Sequence, residues 1–303
     1  MNHFLKLLDC STQEIVELLD MADQLKYELK HGINHKPLEG KTLGMIFQKS
    51  STRTRVSFEA GIYQLGGMGM FLSSHDLQIG RGEPVEDTAR VLGRYLDGIM
   101  IRTFAQQEVE DLAKYGGIPV INGLTDFCHP CQVLADLMTI REHKAKLSGL
   151  KMCYIGDGNN MANSLIVGGL KAGMKVSIAT PKSHQPDPTV LAFAQQYGDK
   201  FQLTDDIFAA AADADAVYTD VWASMGQEGE AAERRKVFAG YQVNEKLMSV
   251  AHGDAMVMHC LPAHREEEIS AETFEKHAGE IFDEAENRLH AQKAIMVKLM
   301  ADR

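Results

Sequence analysis

The regular alternation of two kinds of segment constrains the fold of this chain more than any other feature. Short apolar runs such as "TLGMIF", "GIMI" and "KMCYIG" have the length and composition of buried strands. Between them lie segments with helical spacing of apolar residues, such as "STQEIVELLDMADQLKYELK", which begins with a capping box of Ser11 and Glu14. Strands that alternate with helices form parallel sheets covered on both faces, so the sequence predicts an α/β fold with doubly wound sheets.

The series of strands and helices is interrupted once and then begins again, which predicts two domains. The segment "LSGL" at 147–150 ends a long helical pattern, and the strand-like run "KMCYIG" follows it directly. A length of 303 residues also suits about two domains of ordinary size. We therefore predict a first domain over residues 1–148 and a second that begins at residue 149.

Composition excludes several classes of partner. Asp and Glu number 42 against 31 Lys and Arg, a net charge of −11, whereas a general nucleic-acid binder needs a basic face. No apolar run approaches the roughly 18–20 residues of a membrane span, and the N-terminus lacks the apolar core of a signal peptide. Five cysteines at irregular spacing do not form a disulfide framework. We therefore expect a cytoplasmic protein that binds neither nucleic acid nor membrane.

The segment "FQKSSTRTRVSFEAG" crowds hydroxyl groups and arginines between a predicted strand and a predicted helix. Ser51, Thr52 and Thr54 flank Arg53 and Arg55, although the chain as a whole is acidic. Backbone N–H groups and the dipole at a helix start attract anions, and an Arg guanidinium matches phosphate oxygens. The alternative is an ordinary N-cap beside two solvated arginines, but the density of these residues favours a phosphate site. The G-x-x-x-x-G-K spacing of a Walker A loop is absent.

The segment "DFCHPCQVLADLM" combines a C-x-x-C pair with a second polar pair at a predicted helix start. Cys128 and Cys131 lack the second ligand pair of a structural zinc site, and a redox role has no other support. His129 and Gln132 lie three residues apart on the first turn, with Pro130 at the first helical position. Such a His can polarise a carbonyl oxygen, although a His at a helix start is often only a cap.

Four residues of the second half have both a functional and a structural interpretation. "IGDGNN" resembles part of a dinucleotide loop but lacks its third glycine and its acid, which disfavours a nicotinamide-dependent oxidoreductase. Asn160 there can hold a carboxylate or an ammonium group. Asp220 ends a strand and can bind an amine, and the loop after it is either a lid or plain surface. Cys260 is either an inert core thiol or a substrate contact, and a bound anion would explain Arg288 near a helix start.

These motifs occur together in one order along nearly the whole chain. The order is "SSTRTR", "DLQIGRGEPVEDTARVL", "IRTF", "HPCQ", "GDGNNMANS", "DVWASMGQE", "HCLPAHR" and "ENRLHAQ". The set resembles the aspartate/ornithine carbamoyltransferase family. The "SMG" and "HCLP" elements are similar to those of its ornithine-using members, whereas the aspartate-using members share "STRTR" but lack these two elements.

The resemblance implies an architecture and an activity. It implies two α/β domains joined by interdomain helices, with carbamoyl phosphate bound by residues 1–148 and ornithine by residues 149–286. Residues 287–303 would form a terminal helix that packs back on the first domain. The chain would form a homotrimer, or a multiple of trimers, with sites at subunit interfaces and with no metal or cofactor. The reaction would transfer the carbamoyl group to the δ-amine of L-ornithine, giving L-citrulline and phosphate in arginine metabolism.

The resemblance also assigns roles to individual residues. The carbamoyl phosphate contacts would be Ser51, Thr52, Arg53, Thr54, Arg55, Gln78, Arg102, His129, Gln132, Cys260, Leu261 and Arg288, with Gln78 reaching a neighbouring subunit's site. The ornithine contacts would be Asn160, Asp220, Ser224 and Met225, and the catalytic residues Arg102, His129, Asp220 and Cys260. A carbamoyltransferase for putrescine or acetylated ornithine and a non-catalytic phosphate-binding protein are the alternatives, and the second leaves His129, Asp220 and Cys260 unexplained.

Overall fold

The chain folds into two compact units. The structure is a computed structural model, and it describes residues 1–223 and 228–302. The first unit comprises Met1–Met138 and Asn287–Arg303, and the second comprises Thr139–Glu286. Both divisions fall inside helices, α5 (Pro130–Lys144) and α12 (Ala278–Met300), so each of these helices contributes residues to both units. The "LSGL" segment follows the end of α5 rather than marking the division itself.

The first unit is built on a four-stranded parallel sheet in the order β2-β1-β3-β4. Its strands are β1 (Thr42–Phe47), β2 (Met68–Ser73), β3 (Gly98–Arg102) and β4 (Val120–Leu124). The helices that begin in this unit are α1 (Thr12–Lys30), α2 (Thr52–Gln64), α3 (Val85–Leu92), α4 (Gln106–Gly116) and α5, and α12 returns to it.

Burial explains why these sequences become strands. Every residue of β3 and β4 is buried, as expected for strands covered on both faces, whereas β2 at the sheet edge is only partly buried. The predicted capping box starts α1, because Ser11 Oγ accepts from the Glu14 N–H at 3.1 Å and Glu14 Oε2 accepts from the Ser11 N–H at 2.9 Å.

The second unit is built on a five-stranded parallel sheet in the order β7-β6-β5-β8-β9. Its strands are β5 (Lys151–Ile155), β6 (Lys175–Ala179), β7 (Phe201–Thr204), β8 (Ala216–Thr219) and β9 (Met256–Met258). Its helices are α6 (Asn160–Lys171), α7 (Pro188–Gln195), α8 (Ile207–Ala211), α9 (Ala231–Val237), α10 (Glu245–Met248) and α11 (Ala271–Lys276). Short 3-10 turns occupy Leu7–Asp9, Gln78–Arg81, Gly198–Lys200 and Glu228–Glu230.

The strand orders identify the ligand-binding edge of each sheet. In the first unit the connections leave β1 on one side toward β2 and then cross to β3, so the order reverses between β1 and β3. In the second unit the same reversal falls between β5 and β8. Ligands of such sheets bind beyond the carboxyl ends of the strands at this reversal. The predicted α/β fold with parallel doubly wound sheets is therefore confirmed.

No helix within residues 1–223 and 228–302 combines the length and the apolar composition that crossing a membrane requires.

Candidate active site

The predicted phosphate loop follows the carboxyl end of β1. Ser51 is the N-cap of α2, and its Oγ accepts a hydrogen bond from the Thr54 N–H at 3.2 Å. Thr54 is fully buried, Thr52 is exposed, and Ser51 and Arg53 are half-buried. The start of α2 therefore directs its dipole and its first-turn N–H groups to the edge at which parallel sheets bind ligands.

Two buried arginines converge on the Thr54 hydroxyl. Arg288 Nη2 donates to Thr54 Oγ1 at 2.9 Å, and Arg102 Nη1 donates to the same oxygen at 3.4 Å. Arg102 is the last residue of β3 and is 7% exposed, whereas Arg288 lies on α12 and is 3% exposed. Two like charges held this closely inside a protein repel each other, so the pair favours an anion as a third partner.

His129 shares the environment of these arginines. The ring is 5% exposed and lies directly before α5. Burial lowers the pKa of the His129 imidazole well below its usual value, and the charges of Arg288, Arg102 and Arg53 lower it further. The ring is therefore neutral at neutral pH, and it can donate one hydrogen bond to a carbonyl oxygen without adding another buried charge.

Gln132 connects the arginines to a buried acid that sequence reasoning missed. Its Oε1 accepts from Arg288 Nη1 at 2.7 Å, and its Nε2 donates to Asp136 Oδ1 at 2.8 Å. Asp136 is fully buried one helical turn after Gln132. This network fixes which end of the Gln132 amide faces the arginines. The signal was present in the sequence, because Gln and Asp four residues apart share one face of a helix.

The structure does not bring two predicted phosphate contacts into this cluster. The Arg55 guanidinium lies 3.7 Å over the Phe71 ring, and its Nε donates to Glu59 at 3.1 Å on the exposed side of α2. The reason is helical geometry, because residue 55 faces away from the buried Thr54. Gln78 is exposed at the start of a 3-10 turn.

A second polar cluster, of opposite sign, lies at the carboxyl ends of β8 and β9. Asp220 follows β8 and is 6% exposed. Its Oδ1 accepts from Cys260 Sγ at 3.1 Å, and its Oδ2 accepts from Asn159 Nδ2 at 3.1 Å. A buried carboxylate with neutral neighbours suits a cationic ammonium group as its partner.

The "GDGNN" turn supports this acid from the end of β5. Asn159, rather than Asn160, is the N-cap of α6, and its Oδ1 accepts from two first-turn N–H groups. Asn160 is the first residue of the helix and is half-buried. A Cβ at Gly158 would lie 2.4 Å from His184 O and 2.3 Å from the Gln185 carbonyl carbon, so close packing of two loops explains this glycine. The second glycine of "IGDG", which gives the segment its similarity to a dinucleotide loop, is therefore explained by loop packing.

A buried ion pair closes the same turn, and sequence reasoning missed it as well. Arg234 on α9 donates through Nη1 to Asp157 Oδ2 at 2.8 Å and to Trp222 O at 3.0 Å. Burial raises the pKa of the Asp157 carboxyl, while Arg234 opposes that shift. The partners are 77 positions apart in the sequence, which leaves no local pattern from which the pair can be predicted.

Only one of the five cysteines, all within the described residues, is not buried. Cys10, Cys128, Cys131 and Cys153 are buried, and burial raises the pKa of the last three thiols to about 12. Cys260 is half-buried beside Asp220. The Cys128 and Cys131 pair is accordingly unreactive, and neither thiol suits redox chemistry.

The remaining predicted residues fall beside or outside this cluster. Leu261 follows Cys260 with a left-handed backbone, φ +58°, and a cis bond to Pro262. Ser224 and Met225, predicted to bind ornithine, lie outside the described residues.

Both halves of the chain match models of known protein families. Residues 2–142 match the carbamoyl-P binding domain of aspartate/ornithine carbamoyltransferase, and residues 148–299 match its Asp/Orn binding domain.

Similar proteins cover almost the whole chain. A protein of Oceanobacillus iheyensis named ornithine carbamoyltransferase is 59% identical over 303 residues, 99% of this chain and 94% of the relative. The crystal structure of ornithine carbamoyltransferase from Pyrococcus furiosus is similar with a TM-score of 0.94 and 51% identity, over 99% of this chain and 97% of that one. The anabolic ornithine carbamoyltransferase of Campylobacter jejuni is similar with a TM-score of 0.94 and 46% identity, over 100% of each chain. The chain belongs to the aspartate/ornithine carbamoyltransferase family.

Proposed function

We propose that this chain transfers the carbamoyl group of carbamoyl phosphate to the δ-amine of L-ornithine, giving L-citrulline and phosphate in arginine metabolism. The observation that carries the proposal is a pair of polar clusters of opposite sign. One is cationic, around Thr54 between Arg102 and Arg288, and the other is acidic, around Asp220 and Cys260. The cationic cluster would bind an anionic carbamoyl donor, and the acidic cluster would bind a cationic amine acceptor. The names of the relatives support the same choice.

Carbamoyl phosphate is bound at the start of α2. The phosphate accepts from the first-turn N–H groups and from the side chains of Ser51, Thr52, Arg53 and Thr54. Arg288 contributes its charge through its contact with Thr54. Because the guanidinium groups of Arg102 and Arg288 already lie together before substrate arrives, these two groups reorganise little on binding.

The carbamoyl carbonyl is polarised by neutral and cationic donors together. His129 donates one N–H, Arg102 supplies the positive charge, and Gln132 orients the carbamoyl amide. Negative charge grows on the carbonyl oxygen in the tetrahedral transition state, and preorganised donors stabilise it there more than in the ground state. Cys260 and Leu261 are further proposed contacts of the carbamoyl group.

Ornithine is bound by the second unit. Asn160, Asp220, Ser224 and Met225 are the proposed contacts, with Asp220 and Cys260 orienting the amine. The δ-amine resembles that of Lys, with a pKa of about 10.4, so it must lose a proton before it attacks. Its nitrogen then forms the C–N bond, the C–O bond to phosphate breaks, and the phosphate leaves with the bonding electron pair. The proton lost before the attack passes to water, and the second proton, which the nitrogen loses as the C–N bond forms, passes to an oxygen of the leaving phosphate.

A homotrimer, or a multiple of trimers, in the cytoplasm completes the proposal. Apolar side chains on α2 and the edge strand β2 are exposed and suit a contact between subunits, and they are Val56, Tyr63, Met68 and Phe71. Gln78 is exposed and would act in a neighbouring subunit's site. Mixing inactive Arg53→Ala and Gln78→Ala proteins tests this role, because mixed trimers regain sites with both residues intact. No regain of activity would place Gln78 in its own subunit's site.

A citrulline assay with carbamoyl phosphate tests the reaction itself. Ornithine, putrescine, N-acetylornithine and aspartate are supplied in parallel, and only ornithine is expected to be carbamoylated at an appreciable rate. Comparable turnover of putrescine or N-acetylornithine would reassign the acceptor. Binding of carbamoyl phosphate without transfer to any amine would reduce the chain to a phosphate-binding protein.

A further inference from the structure

We infer that Glu268 and His259 form a buried positioning pair that holds the turn carrying Cys260 and Leu261, and so keeps the Cys260 thiol against Asp220. The inference rests on the proposed function only for its kinetic readout. Both side chains are buried and hydrogen-bond to the backbone of this segment, so both act through the turn. The observations come from four segments of the second unit, which are the end of β9, the turn after it, residue 268 and α12.

The first observation is the tautomer of His259. The ring is fully buried directly after β9, and its Nδ1 accepts a hydrogen bond from the Leu261 N–H at 2.9 Å. A nitrogen that accepts carries no proton, so the proton lies on Nε2. Nε2 then donates to Glu268 Oε1 at 3.0 Å. One imidazole thus connects a buried carboxylate to the backbone of the turn.

The second observation is the conformation that this ring holds. Leu261 has φ +58°, in the left-handed region that is unfavourable for a residue other than glycine. Its N–H is the group that His259 Nδ1 captures. Cys260 lies between the two partners of this hydrogen bond, and its thiol donates to Asp220 Oδ1 at 3.1 Å. Release of Leu261 from the left-handed region would therefore rotate the peptide that orients Cys260.

The third observation is that Glu268 holds both ends of the segment. Besides the ring of His259, its Oε1 accepts from the His264 N–H at 2.6 Å. Both ends of the segment from 259 to 264 are therefore bound to the same carboxylate oxygen, Glu268 Oε1. A further contact fixes its start, because the His259 N–H donates to Glu284 Oε2 at 2.9 Å.

Stability alone does not explain this carboxylate. Glu268 is fully buried, and its Oε2 has no hydrogen bond among the described residues. A buried carboxylate with one oxygen that accepts no hydrogen bond costs free energy that an amide side chain at the same place would reduce. Its geometric effect on the turn accounts for its presence.

The test separates the two bonds of the His259 ring. His259→Asn keeps an acceptor near the Nδ1 position and loses the Glu268 contact. His259→Gln keeps a donor near the Nε2 position and loses the Leu261 contact. The readouts are the rate at which DTNB modifies the thiol and the turnover number in citrulline formation. Cys260 is the reacting thiol, because the other four cysteines are buried, and Cys260→Ala in each background gives the blank.

A positioning role predicts that the loss of function and the loss of stability do not run in parallel in the two His259 variants. With His259→Gln, DTNB should react about fivefold or more faster and turnover should fall about tenfold or more, since the thiol leaves Asp220. With His259→Asn, both changes should be at least about threefold smaller than with His259→Gln, because an acceptor for the Leu261 N–H is kept. His259→Asn should nevertheless unfold at lower urea, because the buried Glu268 carboxylate loses its hydrogen bond from the ring.

Glu268 gives the second arm. Glu268→Gln preserves an oxygen that can accept from both His259 and His264, and should retain thiol rate and turnover within about threefold, whereas Glu268→Ala should behave like His259→Gln. Ser177→Ala is the matched control, because it removes another buried hydrogen bond of the same unit, from Ser177 Oγ to Ala210 O at 2.7 Å. It should lower the urea midpoint and leave both readouts unchanged.

Three results would overturn the inference. They are equal thiol rates in His259→Asn and His259→Gln, unchanged readouts in Glu268→Ala, and a Ser177→Ala protein that reproduces the functional losses. The DTNB rate is measured without substrates. A failure of the proposed transfer reaction would therefore appear as absent citrulline in the wild type and would leave the thiol comparison intact.

Discussion

The two polar clusters occupy equivalent places in their sheets and yet carry opposite charge. In the first unit, Arg102 and Arg288 meet on Thr54 beside the neutral ring of His129. In the second unit, Asp220 accepts from a thiol and an amide. Each cluster lies where the strand order of its sheet reverses. The fold therefore determines where a ligand binds, and the side chains at that edge determine its charge.

The clusters also differ in how they are held. The cationic cluster is fixed by side chains from separate helices and a strand, which hydrogen-bond to one another. The acidic cluster lies on two turns, the helix cap at Asn159 and the left-handed turn at Leu261, and the side chains that hold the second turn lie outside the cluster. Substitution of those supporting side chains should therefore change the geometry of the acidic cluster without changing its charge.

Loss of one charge from the cationic cluster should have the largest effect. We expect Arg53→Ala to lower turnover by at least about 10³-fold, because an arginine that meets a transferring or departing phosphate is worth that much elsewhere. The fold should be intact by circular dichroism. Arg90→Ala is the control, because Arg90 forms an exposed pair with Asp87 in the same unit. Near-normal turnover of Arg53→Ala would remove that residue from the phosphate site.

Neutralising the acidic cluster should have a smaller and more selective effect. We expect Asp220→Asn to lower kcat/KM for ornithine by about 100-fold, as for the loss of one charged hydrogen-bonding partner. The KM for carbamoyl phosphate should change little. Asp205→Asn, which affects an exposed pair with Lys182, serves as the control. An equal fall in kcat/KM for ornithine and for carbamoyl phosphate would mean that Asp220 does not act specifically on ornithine.

The sequence predicted those features that depend on neighbouring residues. The strand–helix alternation, the parallel sheets and the Ser11–Glu14 capping box are confirmed, because periodicity and caps are local properties. Helical spacing in "VEDTARVLGRYL" predicts a helix that continues to Leu96, but α3 ends at Leu92. A Cβ at Gly93 would lie 1.8 Å from Gly116 O, so that residue packs against the end of α4.

The supports of both clusters depend on distant residues and escaped prediction. Glu268 stands in the run "REEE", which reads as solvated charge, and only tertiary packing shows that one of these acids is buried against His259. Arg234 is equally ordinary in sequence and pairs with Asp157 across 77 residues. Site residues lie in recognisable motifs, whereas their partners are selected by the fold.

The neutral ring of His129 predicts a pH dependence of stability. Burial and three arginines lower its pKa in the folded state, whereas the unfolded ring has a pKa near 6.5. Below about pH 6.5 the unfolded state binds the proton and the folded state does not. The free energy of unfolding therefore decreases as the pH is lowered. The contribution approaches about 1.4 kcal/mol per pH unit. Urea unfolding at pH 7 and pH 5.5 should show a smaller loss for His129→Gln than for the wild type, and parallel losses would contradict a neutral buried ring.

The smallest effect is expected from the arginine at the margin of the cationic cluster. Arg55 is two residues from Arg53, but its guanidinium lies over Phe71 and pairs with Glu59 on the exposed side of α2. Such contacts are worth about 0.5–1 kcal/mol, so Arg55→Met should lower stability slightly and change the KM for carbamoyl phosphate by less than about threefold. The urea midpoint and the KM of Arg55→Met can be measured in parallel with those of Arg53→Ala. A rise of more than about 100-fold in the KM for carbamoyl phosphate would place Arg55 in the phosphate site, as the "STRTR" pattern by itself predicted. Because the two arginines share one helix turn, that outcome would mean that α2 changes its orientation when substrate binds.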